Sequence, residues 1–160
     1  MPLIALSPTA LVVVDVAAWG AISTLVGYLA HRLSLHRLER DNALTRLRPF
    51  EAGGRVYQRR LRIAHWKDRM PEAGDLFPGG FSKRAVTRGD LDRYLLETRR
   101  AELVHWWIMF AAPLFFLWNP WWLGLVMCLY AVTANLPCLL IQRYNRARVQ
   151  RILDRRHTAG

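Results

Sequence analysis

Apolar and polar stretches alternate along the 160-residue chain and divide it before any motif is considered. Residues 10–30, ALVVVDVAAWGAISTLVGYLA, form an apolar run of 21 residues with one acid, Asp15. Apolar side chains return at 101–118 and at 123–142, and Asn119-Pro120-Trp121-Trp122 separates those two stretches. About 20 helical residues cross a hydrocarbon core, so 10–30 predicts a first transmembrane helix. Asn-Pro favours a turn and paired tryptophans suit the interfacial belt. A hairpin of two further spans, 101–118 and 121–142, is therefore expected. Because 101–118 is short for a full crossing, a re-entrant pair is the alternative. Residues 31–100 are polar and are punctuated by Pro49, Gly53–Gly54, Pro71, Gly74, Pro78 and Gly79–Gly80. From Asp90, DLDRYLLETRRAELVHWW predicts a helix with acids in its first turn that runs directly into the second span. The expected fold class is an all-α integral membrane protein. It forms a single membrane domain with about three transmembrane helices, a basic cytoplasmic middle region at 31–100 and a basic tail at 143–160.

Charge sharpens this picture. All 23 Lys and Arg fall in two blocks, 17 within 31–100 and six within 143–156. A charge at mid-bilayer costs roughly 3 kcal/mol, so the gaps in the distribution mark the spans. The net charge of +11 reads first as topology. No recognition motif accompanies it, and nucleic acid is not an expected partner. Residues 1–9 carry no basic side chain, whereas His31, Arg32, Arg37 and Arg40 follow the first run. That order favours a retained anchor over a cleaved signal peptide. It puts the N-terminus outside and both basic regions in the cytoplasm of a multi-pass cell-membrane protein. Cys128 and Cys138 lie ten residues apart on one presumed helix and cannot bridge each other; they read as small apolar residues of a span.

Polar residues inside the apolar stretches are the candidates for chemistry. Glu102 and His105 are three apart and share a helix face, just beyond Arg99-Arg100. A carboxylate beside an imidazole fixes its tautomer and raises its basicity, which suits a general base acting on a hydroxyl. The same pair would equally serve as an interfacial anchor. Glu-x-x-His also occurs in di-metal bundles, but further ligands would have to come from His65, Glu97 and Asp68, and no metal is expected. On the last span Asn135 and Gln142 are seven apart, followed by Arg143, Asn145 and Arg146. Such a face could hold a carbonyl, phosphate or sugar, or could bond helix to helix with the arginines as stop-transfer charges. In the middle region RVYQRRLRIAHWKDRM mixes Arg59, Arg60, Arg62, His65, Lys67 and Asp68 with aromatic and aliphatic residues. It suits an anionic membrane surface or the phosphates of a donor such as a coenzyme thioester. No Walker loop, nucleophile elbow, His-x4-Asp box or zinc-site spacing is present.

Three stretches, ETRRAELVHW (97–106), YAVTANLPCLLIQRYNR (130–146) and more loosely RIAHWKDRMPEAG (62–74), resemble the glycosyl-4,4'-diaponeurosporenoate acyltransferase family of staphyloxanthin-type carotenoid biosynthesis. The resemblance runs from about residue 50 to 150. It implies O-acyl transfer: a fatty acyl group moves onto a sugar hydroxyl of a glycosylated carotenoid or related glycolipid. The implied partners are membrane lipids, a lipid-linked sugar acceptor and a fatty acyl donor. No cofactor is implied beyond acyl-CoA or another acyl thioester as donor substrate. In the mechanism expected on chemical grounds, Glu102 orients His105, which deprotonates the hydroxyl. Arg143, with Asn135 or Asn145, then stabilises the oxyanion. Gln142 and Glu97 line the substrate, while Arg59, Arg60, Arg62, His65, Lys67 and Asp68 hold the donor. The competing class is a non-catalytic membrane scaffold that binds anionic lipid or a partner enzyme.

Overall fold

The computed structural model describes residues 6–69 and 91–159, and the expected helix start at Asp90 lies outside them. Among the described residues the chain is all-helical. Helix α1 spans Pro8–His31; Ser7 caps it by accepting from the Ala10 amide at 3.3 Å, and Pro8 sits where a missing N–H costs nothing. After α2 (Leu35–Leu38), the Asn42 side chain accepts from the amides of Leu44 and Thr45, both at 2.9 Å, and turns the chain. A 3-10 turn at Pro49–Gly54 leads into α3 (Arg55–Leu61). Ala52, Gly53 and Gly54 there have φ of 48°, 63° and 86°. A Cβ on Gly54 would stand 3.1 Å from the Ala147 Cβ, so the loop approaches the last helix only through glycine.

Helix α4 (Leu91–Ala111) and helix α5 (Trp121–Ala159) form the hairpin. Between them a 3-10 turn, Ala112–Leu117, precedes Asn119-Pro120. The turn packs closely: a Cβ on Gly124 would meet the Phe116 ring at 2.4 Å. The expected second span is thus divided, its first part ending α4 and its remainder forming the turn. The expected third span and basic tail merge into one helix of 39 residues that contains Pro137. At 1.5 Å per residue it is about 58 Å long, well beyond the thickness of a hydrocarbon core.

Two helices, Pro8–His31 and Trp121–Arg155, are long and apolar enough to cross a membrane. Their surfaces are inverted relative to a water-soluble core. Val12, Val16, Leu25, Trp121, Leu129 and Tyr130 face outward, while Asp15, Asn119 and Asn135 are buried. Apolar side chains outside and polar groups satisfied inside is the arrangement that a lipid solvent favours. Both features are compatible with membrane association. Inside the bundle, Trp19 of α1 stacks on Phe115 of the turn, ring centroids 4.6 Å apart. Asp15 accepts from the Trp118 indole at 2.8 Å and from the Asn119 amide at 2.7 Å.

Candidate functional site

Where α4, α5 and the 38–57 segment meet, the structure gathers three carboxylates and three guanidiniums. Arg143, on α5, donates to Glu102 of α4 and to Glu51 of the 3-10 turn. Its other donors reach Leu44 O at 3.0 Å, Arg46 O at 2.9 Å and the Tyr57 hydroxyl at 3.3 Å. A guanidinium has five N–H groups, and all five are engaged. One turn further along α5, Arg146 pairs with the second oxygen of Glu102 at 3.0 Å and with Asp41 at 3.1 Å, and also donates to Thr45 O. Arg99 closes the set, donating to Asp41 at 2.8 Å and to Leu38 O at 3.0 Å. Glu51, Glu102 and Arg146 are almost fully buried. Tyr57 links the two halves by donating to Glu51 at 2.9 Å. Burial pushes its hydroxyl up to about 12, so it remains a neutral donor at any ordinary pH.

This network revises two sequence expectations. Glu102 does share a helix with His105, but its carboxylate turns to Arg143 and Arg146 and does not orient the imidazole. Arg143 has no N–H left for an oxyanion. Both residues fasten the 38–57 segment to the hairpin. The physical reason is proximity: Glu51, Asp41 and the carbonyls of 44–46 are brought in by a loop whose path the spacing along α4 and α5 does not reveal.

His105 has a different partner. Its Nδ1 lies 2.9 Å from the Asn135 Oδ1. The Asn135 Nδ2 donates to Ala131 O at 2.9 Å, which fixes the amide with its oxygen toward the ring. Nδ1 is therefore the protonated nitrogen, and Nε2 carries the free lone pair. The pair bridges α4 and α5. Along the helices it stands five residues from Arg100 and eight from Arg143, roughly 8–12 Å inside the ring of cations.

The other expected residues are more dispersed. Gln142 and Asn145 are half-buried on α5. Glu97 pairs with Arg100 at 3.6 Å on α4. Lys67 contacts the neighbouring Asp68 at 2.7 Å, and His65 is exposed at the end of the first of two short 3-10 turns. Arg59, Arg60 and Arg62 are exposed on and beside α3. Among the described residues no group of three or more His, Cys, Asp or Glu could hold a metal ion. Sequence reasoning missed Glu51, Tyr57, Asp41 and the buried role of Arg99 and Arg146. The one available signal was an acid, Glu51, amid a basic stretch.

The model of the family described as glycosyl-4,4'-diaponeurosporenoate acyltransferase matches residues 40–155. The chain belongs to that family. The matched region holds the ion network and the His105–Asn135 pair and leaves out α1. A glycosyl-4,4'-diaponeurosporenoate acyltransferase of Staphylococcus haemolyticus (strain JCSC1435) is 31% identical over 137 residues, covering 84% of this chain and 80% of that protein. A protein of the same name from Staphylococcus aureus (strain USA300) is 30% identical over 107 residues, covering 65% of this chain and 64% of its own length. No solved structure matches. By family this protein is an acyltransferase, and its two long apolar helices are compatible with a membrane.

Proposed function

We propose that this acyltransferase esterifies a sugar hydroxyl of a membrane-embedded glycosylated carotenoid, or of a related glycolipid, with a fatty acyl group taken from a thioester. The relatives' name supplies the acceptor class. The observation that carries the chemistry is the His105–Asn135 hydrogen bond, which leaves Nε2 as a neutral base. In the reaction Nε2 takes the hydroxyl proton, and the sugar oxygen attacks the thioester carbonyl carbon. The tetrahedral species collapses with cleavage of the C–S bond, and the departing thiolate recovers the proton from the imidazolium. Asn135 accepts from Nδ1 throughout and holds the ring in one tautomer. Both substrates partition into the bilayer, so a base set a turn or two inside the cation ring meets their reactive ends where headgroups give way to chains.

A three-span arrangement supports this placement. Asp15 of α1 meets the hairpin tip, and the carbonyl of Leu33, just past α1, meets Arg100. Residues 15–33 and 100–118 thus run side by side over the same number of residues, through α1 on one side and α4 with its 3-10 turn on the other, roughly 27–31 Å and close to a hydrocarbon thickness. With the positive-inside rule, residues 31–100 and the C-terminus are cytoplasmic. A single cysteine at Ala64 should resist an impermeant maleimide in intact cells.

The decisive experiment is turnover of His105→Ala, normalised to monodisperse protein, with a panel of acyl thioesters and glycosylated lipids. A loss of at least roughly 100-fold is expected of a general base. Retention of more than about a tenth of wild-type turnover removes His105 from that role.

A further inference from the structure

The cations of the middle region that the ion network leaves out form a second surface. Tyr57 and Ile63, on and just past α3, pack with Ile141 and Tyr144 of α5, flanked by Val56, Trp66 and Leu140. These α5 residues lie within one turn of Gln142-Arg143, where its apolar stretch ends. The α3 segment is thereby held at the level at which α5 leaves the apolar stretch. The exposed positions on and around it are unlike a soluble surface. Phe50 and Leu61 are exposed, Phe50 by 73% of its area. Arg55, Arg59, Arg60 and Arg62 are exposed among them. Arg59, Arg60 and Arg62 make no side-chain ion pair with any described residue, in contrast to the saturated Arg143.

We propose that residues 49–62 form an interfacial plate that docks on anionic phospholipid headgroups. Phe50 and Leu61 enter the acyl-chain boundary, and Arg59, Arg60 and Arg62 contact lipid phosphates. The proposal rests on α5 crossing the bilayer and is independent of His105. Charge complementarity selects the partner: a neighbouring cluster of cations beside a membrane span attracts an anionic leaflet. Aromatic and aliphatic side chains exposed between those cations distinguish this face from one built only for a soluble phosphate donor. The plate also gives the 38–57 segment a second attachment. One side is tied to the helices through Arg143 and Arg146, and the other to the lipid.

The test uses the full chain with Cys128 and Cys138 replaced by Ala and Leu61→Cys labelled with an environment-sensitive fluorophore, reconstituted in nanodiscs. In phosphatidylcholine containing about 30% phosphatidylglycerol, the label should shift to the blue and be protected from aqueous iodide relative to phosphatidylcholine alone, as expected of a charge-driven surface contact. Adding Arg59→Gln, Arg60→Gln and Arg62→Gln should abolish the difference at the same composition, because each surface cation is worth roughly a five-fold preference for an anionic surface. Monodisperse elution of the variant confirms folding. A label equally open to iodide in both lipid mixtures overturns the proposal. So does a label that responds to added coenzyme A but not to phosphatidylglycerol, which would make the face a donor-phosphate site. Loss of acyl transfer with the lipid response intact would count against the proposed reaction and leave the plate standing.

Discussion

Replacing Glu102 with Gln separates fastening from chemistry. The carboxylate is fully buried and pairs with both Arg143 and Arg146. The substitution preserves shape and one acceptor oxygen but removes the charge, and it sets an amide N–H against a guanidinium. The cluster of three acids and three bases becomes unbalanced by one positive charge in a site with little water. Breaking a buried pair from one side costs about 3–5 kcal/mol. For a chain of this size each kcal/mol shifts the unfolding midpoint by roughly 2–4 °C, so a drop of about 6–20 °C is expected. The assay is the fraction of monodisperse protein left after heating in detergent. Arg146→Gln should behave similarly, and the double variant should be less harmed than the sum, with coupling of about 1–3 kcal/mol. Turnover per folded molecule should change little. A Glu102→Gln protein that melts like wild type, yet turns over far more slowly, would refute this reasoning and return Glu102 to the chemistry.

Three further outcomes follow from the same geometry. Asn135→Ala should lower turnover by roughly 10- to 100-fold through loss of the fixed tautomer, with Asn135→Asp retaining more, read from rates on folded protein. Tyr57→Phe leaves Glu51 and Arg143 each short of a partner and should cost about 1–3 kcal/mol in thermal stability. The wild-type hydroxyl titrates near 12 when folded and near 10 when unfolded, so its contribution is full below pH 10 and is lost as pH rises toward 12; wild type should lose stability over that alkaline range and Tyr57→Phe should lack this component. Gly54→Ala should destabilise by about 1–3 kcal/mol, since φ is 86° and the added methyl crowds Ala147, as measured by the same melting assay.

Much of the helical framework is legible from hydropathy. The run at 10–30 became α1, and Asn119-Pro120 marked the hairpin break where the structure has it. The continuity of α5 was less visible, because the charged tail ends the apolar stretch without ending the helix. The site was legible only in part. Spacing put Glu102 and His105 on one helix face, but their partners are 30 to 44 residues away in sequence. Helical periodicity says which residues share a face and is silent on which loop covers that face. Arg99 illustrates the difficulty. It read as an interfacial flank, yet it is buried because the 38–41 segment folds back over it and supplies two carbonyls and a carboxylate.

The contact between Asp15 and the hairpin tip constrains how the protein is assembled. Its two partners lie 103 and 104 residues later in the chain. At translation rates of about 5–20 residues per second, they are synthesised roughly 5–20 s after Asp15. Helix α1 is therefore synthesised before the groups that receive its carboxylate exist. Assembly then has two stages, synthesis of α1 followed by its docking once Trp118 and Asn119 arrive. In that interval the Asp15 carboxylate lacks the two donors that hold it in the finished fold.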